Sequence, residues 1–149
     1  MPEVLPVTFT FLSSLFPSAK ITLPNEIEGK KIPNDSNFVL LIPNQIEIVH
    51  DNSIDIAINL HSFQEMTQAQ IGVYFKFVQR VVRESGYFFS SNRIEKIPTD
   101  DHAYTVEQIS PPNRFFEYPW NKNNKILINE VSRFHRLVQA DSIGVRLET

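Results

Sequence analysis

The chain has no cysteine. That excludes a disulfide framework and any thiolate metal site, and it fits a cytoplasmic protein. Glycine is scarce as well, with four in 149 residues against ten prolines. Gly29, Gly72, Gly86 and Gly144 are scattered, and no Gly-x-Gly pair exists. A complete nucleotide-binding α/β domain carries a glycine cluster after its first strand, where bare backbone approaches the ligand. No apolar run approaches the roughly 20 residues of a membrane-spanning helix. The start of the chain has Glu3 and no early Lys or Arg, so it does not read as a signal peptide. Positive charge is not in excess either. A net charge of −3 gives no case for nucleic acid, whose binders carry a basic patch. What remains is 42% hydrophobic and 21% charged residues, the balance of one globular domain over residues 1–149 with a sizeable core.

Residues 53–93 organise the chain. Residues 54–60 are short, rich in Ile and bounded by polar residues, as a strand buried on both faces is. Thr67 reads as a helix N-cap, with Gln70 completing a capping box. Ile71, Tyr74, Phe75, Val78, Val81 and Val82 recur at helical spacing and form one apolar face. Gly86 is placed to end that helix in the left-handed conformation. Residues 87–90 read as a second strand. Strand, helix and strand in one short stretch predict a βαβ unit. Ligands in such sheets sit at the carboxyl ends of the strands. Those ends carry Asn59, His61, Ser62, Gln64 and Glu65, then Asn92 and Arg93.

Elsewhere the signals are shorter. Residues 1–16 fit a helical stripe (Leu5, Phe9, Leu12, Leu15, Phe16) and a strand alternation (Val7, Phe9, Phe11) equally. Residues 19–23 and 38–42 are strand-like, 24–37 a loop, and 46–49 extended chain. Residues 94–125 form a long connection with Pro98, Pro111, Pro112 and Pro119, and such length is usual for functional loops. Its aromatics, Tyr104, Phe115, Phe116, Tyr118 and Trp120, fit a lid over the strand ends. Residues 125–129 and 134–138 read as one bent strand, and 143–147 as its antiparallel partner.

The run Asp51-Asn-Ser-Ile-Asp-Ile-Ala-Ile-Asn-Leu-His-Ser-Phe-Gln-Glu-Met resembles the fourth-strand region of class I S-adenosylmethionine-dependent methyltransferases. More narrowly it is similar to the sugar O-methyltransferases of bacterial polysaccharide clusters, in the His-Ser-Phe-Gln-Glu-Met that follows the strand and in Gly86-Tyr-Phe-Phe after the helix. The resemblance makes residues 1–16 a helix, since Met1-Pro-Glu-Val-Leu resembles the start of the family's helix after its second strand. It implies an α/β fold, a partial Rossmann-like methyltransferase sheet, mostly parallel, closed by a C-terminal antiparallel hairpin and with its first strand missing. The glycine-rich loop is missing with it. The strand of residues 54–60 would then keep an unpaired edge, which is costly when buried and invites association. The expectation is therefore the C-terminal part of a cytoplasmic sugar O-methyltransferase domain that is inactive alone and takes S-adenosylmethionine only when complete. A natural or annotated fragment, a split gene or a subunit needing a partner each account for the missing part, and in the last two a second chain would supply the strand. The alternative is a non-catalytic α/β interaction subunit completing a partner's sheet.

The resemblance also distributes roles. Methyl transfer to a hydroxyl is mainly a matter of alignment, assisted by a base. His61 is the first candidate, an imidazole just beyond a strand end. Glu65 is the second, as base or as orienting group. Against these stand a histidine bonded within its loop and a carboxylate at a helix entry. Asn44, Gln45, Asn59 and Leu60 fall where the family contacts its cofactor, although the usual acidic residue before Asn44 is absent. Gln64, Asn92, Arg93 and Trp120 are candidates for a saccharide or small-molecule acceptor, with Trp120 stacking on a sugar ring. A turn after Pro43, a solvated Arg93 and an aromatic core under the long loop explain the same residues structurally. Asp100, Asp101 and His102, like His50 and Asp51, lack metal-ligand spacing, so no metal is expected.

Overall fold

The structure, a computed structural model, describes residues 4–27, 31–96, 112–131 and 142–148, with backbone alone for 131 and 142–148. The chain divides into two compact units, residues 1–50 and 51–149.

The first unit holds helix α1 (Leu5–Leu15) and two short strands, β1 (Ile21–Thr22) and β2 (Phe38–Val39). The strands pair in parallel, Ile21 with Phe38 and Thr22 with Val39. Asn37 Oδ1 accepts from Lys20 N at 2.8 Å, and Thr22 and Ser36 hydroxyls lie 2.6 Å apart. No residue of α1 is buried. Residues 46–49 are not extended: a 3-10 helix runs over Pro43–Ile48. Its first turn is locked by Gln45, whose Oε1 accepts from Ile42 N at 3.2 Å. Strand β2 is likewise shorter than residues 38–42, since Pro43 opens that helix.

The second unit is built on β3 (Ile54–Leu60), α2 (Gln68–Val81) and β4 (Val82–Arg93). Thr67 caps α2 as its sequence implies: Thr67 Oγ1 accepts from Gln70 N at 3.3 Å, and Gln70 Oε1 accepts from Thr67 N at 2.8 Å. Ile71, Phe75 and Val81 are buried, with Tyr74 and Val78 packed alongside. The helix stops at Val81, and Gly86 does not end it. The left-handed residue is Ser85, at φ 62°. Gly86 serves close approach instead. A Cβ there would lie 2.7 Å from Val82 Cγ1, 2.8 Å from the Arg83 carbonyl and 3.0 Å from that of Asp55. Asp51 pairs with Arg80 at 2.7 Å and Asp55 with Arg83, tying the start of β3 to the end of α2 and the start of β4.

Strands β3 and β4 pair in parallel from Ile56 with Tyr87 to Leu60 with Ser91. Strand β8 (Ser142–Glu148) runs antiparallel to β4, and β7 (Lys125–Val131) antiparallel to β8. The four-stranded order is β3-β4-β8-β7, so the last strand lies between β4 and β7. A separate antiparallel pair joins β5 (Glu95–Lys96) to β6 (Asn113–Arg114). The expected strand over residues 134–138, and most of the expected lid, lie outside the described residues.

The core is aromatic. Phe63, Phe75, Phe88, Phe115 and Tyr118 cluster with Ile71, and Trp120 packs against them with its ring centroid 4.8 Å from that of Phe75. Such edge-to-face pairs contribute about 0.5–1.5 kcal/mol each beyond their area. Strand β3 meets this core through one face only. The expectation of burial on both faces is corrected: Ile56, Ile58 and Leu60 are 56%, 66% and 58% exposed, while Ala57 packs on the core and Asn59 is buried. The physical reason is position. Helix α2 covers one face, and β3 is the edge of its sheet among the described residues.

Candidate functional site

The carboxyl ends of β3 and β4 sit side by side because the parallel register pairs Leu60 with Ser91. His61 follows at φ 59°, a left-handed conformation uncommon for a residue with a side chain. Its backbone N donates to the Ser91 carbonyl at 2.7 Å, which holds the turn in place. A tight turn that re-aims the chain at a strand end is where backbone strain and function coincide. A 3-10 turn, Phe63–Glu65, then leads into α2.

Beneath His61 lies a network of side-chain amides. Asn92 is fully buried; its Nδ2 donates to Asn59 Oδ1 at 2.8 Å and to Ser90 Oγ at 3.0 Å. Its Oδ1 accepts from Gln64 N at 3.2 Å. Asn59 Nδ2 donates to Ser62 Oγ. Gln64 Oε1 accepts from Arg93 N at 2.8 Å, and its Nε2 donates to Glu65 Oε1 at 3.2 Å. Buried amides of this kind must be satisfied, and here they satisfy one another. The network latches the turn after β3 onto the end of β4.

Two residues without any local sequence signal complete the arrangement. Lys96, 2% exposed, donates to Glu65 Oε2. Asn113, paired with Lys96 across β5 and β6, donates through Nδ2 to the Phe63 carbonyl at 2.8 Å and the Met66 carbonyl at 3.1 Å. Both contacts span more than thirty residues of sequence, which is why spacing could not show them.

The candidates therefore separate by position. His61, Glu65, Gln64, Asn59, Asn92 and Arg93 are brought together at one sheet end. Arg93 is exposed there, and Glu65 is 41% exposed. Asn59, Gln64 and Asn92 lie below, within the amide network. Leu60 is exposed at the sheet edge. Trp120 belongs to the aromatic core, 5.9 Å from Phe88 and 5.6 Å from Phe115 between ring centroids. Asn44 and Gln45 belong to the other unit; Asn44 is exposed, and Gln45 Nε2 donates to the Pro24 carbonyl at 2.9 Å. Among the described residues no group of three His, Asp or Glu side chains converges as metal ligands would. Tyr118 carries the one pronounced pKa displacement among the described groups. Burial raises its phenol well above the usual value, and its Oη has no hydrogen-bond partner.

No protein-family model matches the chain, and no curated protein matches it. It is similar in structure to a protein from Pyrococcus horikoshii OT3, at 16% identity and a TM-score of 0.48, over 94% of this chain and 76% of that one. A second similar structure, from Sulfolobus solfataricus, is described as a putative type 11 methyltransferase. It is 11% identical with a TM-score of 0.43, over 95% of this chain and 90% of that one. Likeness at this level leaves function to be argued from the site. The site defines an α/β protein with a polar, latched turn at the carboxyl ends of two parallel strands.

Proposed function

We propose that this chain is the acceptor-side part of an S-adenosylmethionine-dependent O-methyltransferase acting on a sugar hydroxyl. The observation that supports it most is the sheet order β3-β4-β8-β7, with the last strand inserted beside β4 and His61 strained into place at the carboxyl end of β3. That order agrees with the antiparallel ending the sequence resemblance implies, and the strand end is where such sheets hold ligands.

S-adenosylmethionine supplies an electrophilic methyl group when bound. The residues present do not make a seat for it on their own. The amides of Gln45 and Asn59 are engaged within the chain. No glycine among the described residues forms a turn at a strand end: Gly72 lies within α2, and Gly86 and Gly144 within strands. The grip on the cofactor is therefore assigned to a second chain pairing with the outer edge of β3. This chain's part is the acceptor. His61 takes the hydroxyl proton, Arg93 and Glu65 face the saccharide, and Asn59, Gln64 and Asn92 hold the turn rigid. A turn held to within a fraction of an ångström is what alignment of donor and acceptor requires.

The exposed edge and the uncovered Ile56, Ile58 and Leu60 favour a second reading, a non-catalytic subunit that completes a partner's sheet. Calorimetric titration with S-adenosylhomocysteine separates the two. The enzyme reading expects no binding by this chain alone and binding after addition of the polypeptide encoded just upstream. Absence of binding in both cases supports the interaction subunit, and binding by the chain alone contradicts the division of labour.

A further inference from the structure

The pair formed by Lys96 and Glu65 is asymmetric. The Lys96 side chain is 2% exposed and the Glu65 side chain 41% exposed. A buried ammonium needs its counter-charge, so Lys96 belongs to the interior while Glu65 looks outward. Each carboxylate oxygen meets a different donor from the protein side: Oε2 takes Lys96 Nζ, and Oε1 takes Gln64 Nε2 at 3.2 Å. Gln64 is in turn fixed through Asn92 and the Arg93 amide. Asn113 pins the carbonyls of Phe63 and Met66 on either side of the turn. An ordinary surface glutamate samples many rotamers and its contacts contribute little. This one is set in a single orientation with both oxygens registered.

A carboxylate held in this way is an oriented pair of hydrogen-bond acceptors. Its two oxygens have the spacing that two hydroxyls on adjacent carbons present, one O–H to each oxygen. We propose that Glu65 is a binding residue for two adjacent hydroxyls of a polyhydroxylated ligand, and that Lys96 is the positioning residue that makes it one. The inference rests on the preceding section only for its saccharide ligand class.

The test is amide chemical-shift titration of the full chain with methyl glucoside, methyl mannoside and methyl galactoside, to about 50 mM because single-sugar contacts are weak. Cyclohexanol, with one hydroxyl, is the control, and no S-adenosyl compound is present. The expected result is saturable shifts at Gln64, Glu65 and Arg93 for at least one glycoside and none for cyclohexanol. Glu65→Gln abolishes them, and Lys96→Met weakens binding about tenfold or more, roughly the loss of one oriented charge-assisted pair. If either single variant unfolds, Glu65→Gln with Lys96→Met removes both charges together and is expected to fold without binding. Shifts equal for cyclohexanol, binding retained in the double variant, or no response at these amides to any glycoside overturns the proposal. The last outcome together with cofactor binding in the two-chain titration leaves the methyltransferase reading standing, so the two fail separately.

Discussion

Ser85 and Gly86 are neighbours with opposite demands on their side chains. Ser85 sits at φ 62° and is exposed, so Ser85→Gly is expected to stabilise the chain by about 0.5–1 kcal/mol. Gly86→Ala drives a methyl into two carbonyls and Val82, and is expected to cost about 1–3 kcal/mol. Urea unfolding of both variants checks the pair. Tyr118 gives a pH signature. Its folded pKa is raised by burial, so its contribution is fully present below about pH 10, where the unfolded phenol titrates, and is lost as pH rises beyond that. Between pH 9 and 11 the wild type is expected to lose about 1 kcal/mol more than Tyr118→Phe, measured by denaturant midpoints. At neutral pH that variant is expected to be neutral or slightly stabilised, because it removes a buried hydroxyl without a partner. None of this was legible in the sequence. A glycine after a helix reads as its cap, and only the ladder between β3 and β4 shows that the backbone of Asp55 occupies the space a side chain would need.

At the scale of elements, helix α2 was legible because its cap and its apolar stripe are local, within four residues of each other. Thr67→Ala is expected to cost about 1 kcal/mol, read by thermal unfolding. Strand β3 was legible as a strand but not by its orientation. Ile54, Ile56, Ile58 and Leu60 alternate with Asp55, Ala57 and Asn59, and a period of two says which residues share a face, not which face the core takes. Here the smaller residues face α2 and the aliphatic ones face outward. The Phe63–Glu65 turn was legible as a strand-end site, yet Lys96 and Asn113, which hold it, were not. They come from β5 and β6, far along the chain. Asn92→Ala removes the hub of the amide network and leaves Gln64 N and Asn59 Oδ1 without it, so a loss of about 2–4 kcal/mol is expected in denaturant unfolding.

At the scale of the whole molecule, β3 is a strand whose outer side is open among the described residues. Its backbone directions are fixed at both ends. Ser53 N donates to the Val81 carbonyl at 2.8 Å and His61 N to the Ser91 carbonyl at 2.7 Å, so odd-numbered amides face β4 and even-numbered ones face away. Hydrogen exchange of the isolated chain, followed residue by residue, reads this directly. The amides of Ala57, Asn59 and His61 are expected to be protected, and those of Ile56, Ile58 and Leu60 to exchange near the rate of free peptide until a strand-donating partner is added. Equal protection of both sets in the chain alone would mean the edge is already covered, and would contradict the claim that a second chain completes this sheet.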